Sequence, residues 1–465
     1  GRRLREGNGL EIIQATASLQ DRPTIARPGV KPVKLSETIR GLAIVGFPGS
    51  GLYVNGRNAV TVQTCSFGID PTTQFRGADL VLPNGNHDIY MVGANHITIG
   101  GTKDGDGNRF CCVSGERGGS GVRLENCSNT RIFGNTFGLY AKTAEAVLAL
   151  SHGVTIRGGQ NHTIGGPNRG NDFSALSIGV AIGGSTGNTV AGNHFGKGGI
   201  PTIGYSGIVL RDGARGNTIG GATAGAGNMF AGGGEAGVTV EGAGTDSNEI
   251  LGNYFGVMPD GTSLAAPQVG VQAFSGAGSL RIGTHVPATR NYFCVPDTGV
   301  LLSGGGGGSI VENGLFGMDP AGAARPIQCG ISVRGVRADV LANEFRGARR
   351  AVIVELQNGS ALLARNQFTL CDSGVYIGEN TSANLGDLGN QNALDEGGNV
   401  FDGRGRNGAP GGCISNRSAN PIKAEGNSFW STRASDIDER IIDGKDNAAC
   451  GVVDYDPLMG GVHPD

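Results

Sequence analysis

Short apolar strands separated by glycine turns are the dominant pattern of this chain. A glycine or alanine followed by apolar-x-apolar-x recurs, with copies beginning at Gly121, Gly153, Gly207, Gly237, Gly270, Gly299, Gly330, Ala351 and Gly374. Alternation with a period of two predicts β-strands that have one inward and one outward face. The helical period is absent from residues 40–430, so the pattern predicts an all-β protein.

A second motif, Asn-x-Phe, repeats in step with these strands. Its phenylalanines are Phe110, Phe137, Phe173, Phe195, Phe230, Phe255, Phe293, Phe345, Phe368, Phe401 and Phe429, and degenerate copies contain Phe67 and Phe316. From Phe110 onward, successive copies lie roughly 22 to 38 residues apart, a spacing typical of solenoid repeats. One such coil cannot bury its own apolar face, whereas stacked coils share a continuous core. We expect the asparagines to form a hydrogen-bonded ladder and the phenylalanines a stack.

The two patterns together predict a right-handed parallel β-helix over residues 39–430. A leucine-rich repeat and a β-propeller are disfavoured, because neither an LxxLxLxxN consensus nor a four-strand blade period of about 40–50 residues is present. Residues 1–38 are predicted to be an irregular N-terminal segment or cap, since Pro23, Pro28 and Pro32 disfavour a long helix there. Residues 1–10 lack the apolar segment of a signal peptide, which favours a mature or trimmed chain.

Residues 431–465 are predicted to close the β-helix with a short capping helix and a strap. Ser435 is in position to cap an amphipathic helix that ends at Gly444. Phe429 and Trp430, the only tryptophan, would cover the last coil, whose exposed strand edges would otherwise promote association.

Length and composition agree with a protein that grows in one dimension. The chain has 465 residues, well beyond the roughly 250–300 at which one globular core stops growing, and 87 of them are glycine. A charged fraction of 17% and a net charge of −3 disfavour nucleic acid and anionic membranes as partners. No apolar run reaches the ~18 residues that indicate membrane insertion. The nine cysteines are scattered and leave the disulfide pattern open.

Three segments resemble the parallel β-helix repeat proteins of bacterial secreted and surface proteins, a broad superfamily that includes the pectate lyases. They are Asn217-Thr-Ile-Gly-Gly, Gly252-Asn-Tyr-Phe-Gly and Ile39-Arg-Gly-Leu-Ala-Ile-Val-Gly-Phe. The resemblance implies the fold and a secreted or cell-surface location. It implies no single function, because the architecture carries lyases, glycoside hydrolases, epimerases, adhesins and spikes. The metal-binding aspartates and paired arginines of pectate lyases and the Asp-Pro-His motif of alginate epimerases are not found.

The candidate site is the column formed by the last outward residue of each sheet strand. Its members, spaced about 4.8 Å apart if the coils stack in register, are Glu125, Arg157, Gly183, Arg211, Glu241, Phe274, Ser303, Arg334, Glu355 and Gly378. One interpretation is a ladder of neighbouring opposite charges with little energetic weight. The other is a groove for an extended polysaccharide. In that groove the predicted substrate-binding residues are Glu125, Arg157, Phe274, Arg334 and Glu355.

Catalysis at this column would involve Arg211, Asp212 and Glu241. A lyase needs a base and a cation that stabilises the substrate's carboxylate, and Arg157 and Arg211, about 10 Å apart across Gly183, would clamp it. A glycoside hydrolase needs two carboxyl groups instead, and Asp212 and Glu241 come from adjacent coils. Two functions therefore stay open: a polysaccharide lyase or glycoside hydrolase, and a non-enzymatic structural protein, adhesin or spike that associates with itself.

No cofactor is expected. Asp104, Asp106 and Asn108 place oxygens at alternate positions, as in a calcium loop, but the downstream glutamate of an EF-hand is missing. A plain turn is therefore favoured over a calcium site. The seven histidines lie mostly in turns and form no metal-binding motif.

Overall fold

The computed structural model describes residues 10–13, 38–75, 78–81, 83–110, 119–138, 152–174, 176–196, 203–232, 234–304 and 308–460. Within them, each coil contributes one strand to each of three long parallel sheets, and every strand pairs with its counterpart one coil further along the chain. The predicted parallel β-helix is confirmed. A two-stranded antiparallel hairpin, Ile69–Phe75 and Ala78–Val81, leaves it near the N-terminus.

Sheet 1 has fifteen strands and forms the broadest face. Its strands are Leu10–Ile13, Leu52–Asn55, His87–Val92, Ser120–Glu125, His152–Arg157, Leu176–Gly183, Ile203–Arg211, Ala236–Glu241, Val269–Phe274, Thr298–Ser303, Ile327–Arg334, Ala348–Glu355, Ser373–Ile377, Gly412–Asn416 and Ile441–Ile442.

Sheet 2 also has fifteen strands, most of them three residues long or slightly longer. They are Thr38–Arg40, Thr61–Gln63, Thr98–Gly100, Arg131–Phe133, Thr163–Gly165, Thr189–Ala191, Thr218–Gly220, Glu249–Leu251, Arg281–Ile282, Ser309–Glu312, Arg337–Leu341, Ser360–Ala364, Ser382–Gly386, Ile422–Ala424 and Val453–Asp454.

Sheet 3 has thirteen short strands, and most of them end at or next to the phenylalanine of the Asn-x-Phe motif. They are Ala43–Ile44, Ser66–Phe67, Arg109–Phe110, Thr136–Phe137, Asp172–Phe173, His194–Phe195, Met229–Phe230, Tyr254–Phe255, Tyr292–Phe293, Leu315–Phe316, Glu344–Arg346, Gln367–Thr369 and Val400–Phe401. A 3-10 turn, Pro287–Thr289, precedes one of them.

Asparagine side chains form the predicted ladder inside the β-helix. Each Nδ2 donates to the Oδ1 of the asparagine one coil on, over 2.9 to 3.2 Å, along Asn108, Asn135, Asn171, Asn193, Asn228, Asn253 and Asn291 and again along Asn343, Asn366, Asn399 and Asn427. Gly314 occupies the asparagine position in the coil between the two runs, where its N–H donates to Oδ1 of Asn343. The ladder ties each coil to the next.

Phenylalanine rings form a second continuous column in the core. Neighbouring rings along the Asn-x-Phe series, from Phe67 to Phe429, lie 4.6 to 5.2 Å apart and within 17° of parallel. Tyr455 ends the stack, its ring centroid 6.0 Å from that of Phe429 at 64°. The rings also explain the glycine that opens each sheet 1 strand. A Cβ at Gly237, for example, would lie 2.5 Å from the ring of Phe255.

A second buried polar column runs beside the start of the sheet 2 strands. Backbone N–H groups of Asn188 and Asn217 each donate to the side-chain oxygen of the next asparagine, over 3.0 Å. His162 stands at the head of this column: its N–H donates to Oδ1 of Asn188 over 2.9 Å, and its Nδ1 accepts from the N–H of Thr130 over 3.3 Å. Burial lowers the pKa of His162 to about 4, so the ring is neutral at pH 7.

The C-terminal segment differs from the prediction in detail. The helix is limited to Ala434–Asp438, and Arg433 rather than Ser435 occupies its N-cap. Ile441 and Ile442, expected on the helix, instead form the last strand of sheet 1. Backbone pairing with the preceding coil satisfies more groups than another helical turn would, because the coil edge is otherwise unpaired. Most of residues 1–38, assigned to an N-terminal cap, lie outside the described residues.

Seven cysteines are free, namely Cys65, Cys127, Cys294, Cys329, Cys371, Cys413 and Cys450. The adjacent pair at positions 111 and 112 lies outside the described residues. Across the described residues, no helix has the length and apolar character needed to cross a membrane.

Candidate functional site

The predicted outward column of sheet 1 is present and in register over the pairs that the structure resolves. Glu125 pairs with Arg157, Arg157 with Gly183 and Gly183 with Arg211. The same alignment continues further along the sheet. We call this column the outer strip; its members are Glu125, Arg157, Gly183, Arg211, Glu241, Phe274, Ser303, Arg334 and Glu355. It spans eight strand spacings, about 38 Å.

The outer strip is the accessible edge of an otherwise covered face. Nearer the start of the strands, the outward residues Ile178, Ala181 and Val209 are buried and form a hydrophobic cluster of their own, against which Tyr205 packs. Strip residues are half-buried or exposed. A ligand can therefore reach the end of each strand but not its beginning in these coils.

Arg211 lies between two carboxylates at the centre of the strip. Its Nε is 3.8 Å from Oδ2 of Asp212 and its Nη1 is 3.9 Å from Oε1 of Glu241. These distances are longer than hydrogen bonds. The guanidinium is thus close to both acids without being locked to either, and the three predicted catalytic residues do come together.

Asp212 lies over the sheet rather than in a turn pointing away from it. A Cβ at Gly183 would be 3.1 Å from Oδ2 of Asp212, so the carboxylate lies above the glycine of the strip. The backbone of Asp212 is left-handed, with φ of 55°, and its side chain is 70% exposed. The glycine leaves room for this carboxylate between Arg157 and Arg211. Those two arginines therefore do not form an open cationic clamp.

Aromatic side chains flank the central acids. Phe274 follows Glu241 in register and is half-buried. The pKa of Tyr205 is raised above its ordinary value. Burial is the main cause, and the negative charge of the nearby Glu241 is the second. A phenol in this state donates a hydrogen bond at neutral pH and does not act as a base.

Arg157 is exposed, and no carboxylate lies within 4 Å of it among the residues that the structure describes. Its predicted partner Glu125 is engaged elsewhere. Arg123 donates to Oε1 of Glu125 through Nε, over 2.9 Å, and through its terminal nitrogen. Tyr90 donates to Oε2 over 2.6 Å. The hydrogen bond from Tyr90 is the main cause that lowers the pKa of Glu125. This charge pair lies within the coil of Glu125, not between coils.

Sequence reasoning missed Tyr53, Tyr90 and Arg123. They stand two residues before the strip position in three successive coils, and the rings of Tyr53 and Tyr90 are 5.4 Å apart. The signal was present, because Leu52-Tyr-Val-Asn and Ile89-Tyr-Met-Val carry the alternation of the other sheet 1 strands. Extending the alignment of strands to these two would have placed both tyrosines on the outward face.

Two neutral histidines border this N-terminal part of the strip. Burial is the main cause that lowers the pKa values of His87 and His152 to about 4. Nδ1 of His87 accepts the N–H of Ser120 over 3.1 Å, which places the ring proton on Nε2. Nδ1 of His152 lies 3.0 Å from Oγ1 of Thr155. Nε2 of His87 is therefore a hydrogen-bond donor.

Arg334 and Glu355, at the far end of the strip, form a closed ion pair. Nε of Arg334 is 2.7 Å from Oε1 of Glu355. This pair fits the charge-ladder interpretation. The contact of Arg211 with Glu241, at 3.9 Å, lies between a closed ion pair and two separate charges. The strip thus combines a closed end with a more open centre.

The predicted calcium residues have other partners. Asn108 is a rung of the asparagine ladder, and Asp106 pairs with Arg40 over 3.3 Å and accepts the N–H of Lys103. Asp104 does not complete a site, and no group of three or more metal-binding His, Cys, Asp or Glu side chains occurs in the described residues.

No family model and no curated protein matches the sequence. Solved structures similar to this chain include the Dettilon tailspike protein, with 14% identity and a TM-score of 0.39 over 78% of this chain and 62% of the tailspike chain. They also include an alginate lyase from Paenibacillus sp., with 14% identity and a TM-score of 0.26 over 83% of this chain and 99% of the lyase. A third is the A-module of the Azotobacter vinelandii mannuronan C-5 epimerase AlgE4, with 13% identity and a TM-score of 0.29 over 82% of this chain and 90% of the module.

The chain thus spans less than two thirds of the tailspike's length. At these identities the likeness concerns the fold, which the three in-register parallel sheets establish on their own. The chain is a parallel β-helix protein.

Proposed function

We propose that this protein acts outside the cell or at its surface and binds an extended polysaccharide along the outer strip. One observation carries the proposal: the strip is an accessible, in-register row about 38 Å long on a rigid sheet. A linear polymer of similar units matches a surface whose features recur at one fixed spacing. A compact small molecule would use only a fraction of it.

The composition of the strip supports a carbohydrate as the ligand. Arg157 offers a cation with no carboxylate within 4 Å among the described residues, whereas Asp212 is largely exposed and can accept hydrogen bonds from hydroxyl groups. Phe274 adds apolar ring surface for the carbon face of a sugar, and Tyr53 lies on the same sheet face before the strip begins. The row thus offers hydrogen-bond donors, acceptors and an aromatic ring.

We further propose that the centre of the strip processes the bound chain. Asp212 and Glu241 stand on either side of Arg211, and glycoside hydrolysis uses a pair of carboxyl groups. The lyase mechanism is less well supported by the geometry, because Asp212 lies between the two arginines that would hold the substrate's carboxylate. Hydrolysis is therefore our first expectation for the reaction and elimination the second.

A screen of acidic and neutral polysaccharides tests the proposal. Binding is measured by retardation in gels that contain each polysaccharide, and processing by new reducing ends and by absorbance of unsaturated products. Glu241→Gln and Asp212→Asn should abolish processing, whereas Glu249→Gln, on the outward face of sheet 2, should not change it. Retardation by none of the polysaccharides would overturn the binding proposal.

A non-enzymatic adhesin, spike or spacer is the second candidate function. It is favoured by the closed pairs of Arg334 with Glu355 and of Arg123 with Glu125, which leave fewer charges free for a ligand at the two ends of the strip. Binding without any turnover, unchanged by Glu241→Gln, would select this alternative. A monomer–oligomer comparison by sedimentation then tests the self-association that this function implies.

A further inference from the structure

A cavity separate from the outer strip lies at the C-terminal end of the β-helix, on sheet 3 rather than on sheet 1. Its volume is about 570 Å³, within the range of small-ligand sites. Val400, Phe401, Asp402, Pro410, Trp430 and Arg440 are among the residues that line it. The outer strip contributes no residue to this cavity, so the two sites can be tested separately.

Trp430 supplies a fixed aromatic surface in the cavity. A Cβ at Gly403 would lie 2.5 Å from Cδ2 and Cε3 of the indole, and this close backbone contact holds the ring in place. The residue is nevertheless 39% exposed. Tryptophan normally buries most of its large apolar surface, so an exposed and immobilised ring next to a cavity is suited to contact with a ligand.

Arg440 brings an uncompensated cation to the same cavity. Its Cζ lies 5.8 Å from the centroid of the Trp430 ring. Its Nε is buried and has no hydrogen-bond partner in the described residues, and no carboxylate among them lies within 4 Å. A buried donor without a partner is rare in folded proteins. Such a donor on a cation calls for an anionic acceptor.

The carboxylate of Asp402, which also lines the cavity, favours a ligand that carries hydrogen-bond donors. Its Oδ1 accepts the N–H of Arg404 and its Oδ2 the N–H of Leu370, each over 3.0 Å. Oδ2 also lies 3.5 Å from Nε of Arg404, so the second lone pair of Oδ1 is the one available to a hydroxyl group. A ligand with only a carboxylate and an apolar ring would leave this acceptor unused and would face its charge.

We propose that this cavity binds a sugar that carries a carboxylate. The carboxylate would accept from Arg440, a hydroxyl group would donate to Asp402, and the apolar face of the ring would lie against Trp430. Each part of the cavity then has a partner, and a neutral sugar or a ring acid without hydroxyls satisfies only some of them.

Trp430 also provides the readout, because it is the only tryptophan of the chain. The full-length protein is titrated with D-glucuronate, D-glucose and cyclohexanecarboxylate while its intrinsic fluorescence is recorded. We expect a saturable change with glucuronate and about tenfold weaker binding, or none, for the other two. No saturable change with glucuronate would overturn the proposal, as would equal affinity for either of the other compounds.

Variants locate the binding. Arg440→Gln should weaken glucuronate binding about tenfold or more, and Arg440→Lys should recover part of it. Arg215→Gln, an exposed arginine outside both the outer strip and this cavity, is the matched control and should bind glucuronate as the wild type does. Thermal unfolding of each variant checks that it folds. Should Arg440→Gln not fold, the comparison of the three compounds on the wild-type protein decides the question alone. Unchanged binding in folded Arg440→Gln would overturn the assignment.

Discussion

Replacing Asn253 with alanine removes one rung of the asparagine ladder. The side chain is fully buried and has five hydrogen-bond contacts, three of which share the two N–H groups of Nδ2. Its Oδ1 accepts from the N–H and from Nδ2 of Asn228, both over 3.0 Å. Its Nδ2 donates to the carbonyl oxygens of Ile219 and Leu251 and to Oδ1 of Asn291, over 2.9, 3.1 and 3.2 Å. All five are lost in the variant, and the N–H of Asn228 keeps no acceptor.

The magnitude follows from the groups left behind. A buried polar group without a partner costs about 1–3 kcal/mol, and the N–H of Asn228 is left in that state. Nδ2 of Asn228, Oδ1 of Asn291 and the carbonyl oxygen of Leu251 each lose one hydrogen bond but keep another partner, at a further cost of about 0.5–1.5 kcal/mol for each bond. Allowing for relaxation, we expect the free energy of unfolding to fall by about 3–5 kcal/mol. That is a large fraction of the ~5–15 kcal/mol typical of a folded domain.

Denaturant unfolding followed by circular dichroism measures this change, with Gln268→Ala, an exposed amide-to-alanine change in the same region, as the control. Hydrogen exchange adds a local readout, because the amide of Asn228 should lose protection in Asn253→Ala only. If the two variants unfold within about 1 kcal/mol of each other and exchange alike around Asn228, the ladder does not stabilise the coils as we argue.

Two further predictions concern the core. Gly237→Ala should lower the free energy of unfolding by about 1–3 kcal/mol, because the new Cβ would lie 2.5 Å from the ring of Phe255; an unchanged melting temperature would contradict this. Protonation of His162 should also lower the free energy of unfolding by about 3 kcal/mol as the pH drops from about 6.5 to 4. The pKa of His162 is about 4 in the folded protein and ~6.5 in the unfolded chain, so the unfolded chain binds the proton first and is favoured at lower pH. His162→Asn, which continues the polar column, should remove this part of the pH dependence, and pH–stability curves of the two proteins that coincide would refute it.

The fold could be predicted from the sequence because the same physical constraints recur in every coil. Gly-apolar-x-apolar-x needs a glycine where a phenylalanine ring crowds the strand, and Asn-x-Phe needs an amide that reaches both neighbouring coils. Ala351 occupies the glycine position once, and there the ring pair Phe345–Phe368 is 5.2 Å apart, at the wide end of the observed range. Because the pattern recurs in every coil, a departure in one coil does not obscure it.

The end of the chain and the site were harder to predict because nothing repeats there. Ile441 and Ile442 follow Ile437 at helical spacing. They nevertheless pair with the preceding coil, because its edge offers backbone hydrogen-bond partners. The strip column followed from alternation, but not the position of Asp212, which depends on its left-handed backbone and on the space above Gly183. The partner of Glu125 was also missed, since Arg123 reaches it within one strand.

The most direct test of the central claim is affinity electrophoresis of the wild type and of Arg157→Gln/Asp212→Asn in gels that contain an acidic polysaccharide. Both substitutions are at exposed side chains and should leave the fold intact. The claim that the outer strip holds the polymer predicts strong retardation of the wild type and of Glu249→Gln, with at least about tenfold weaker binding in the double variant. Equal retardation of all three proteins would show that the polymer binds elsewhere and would contradict the account.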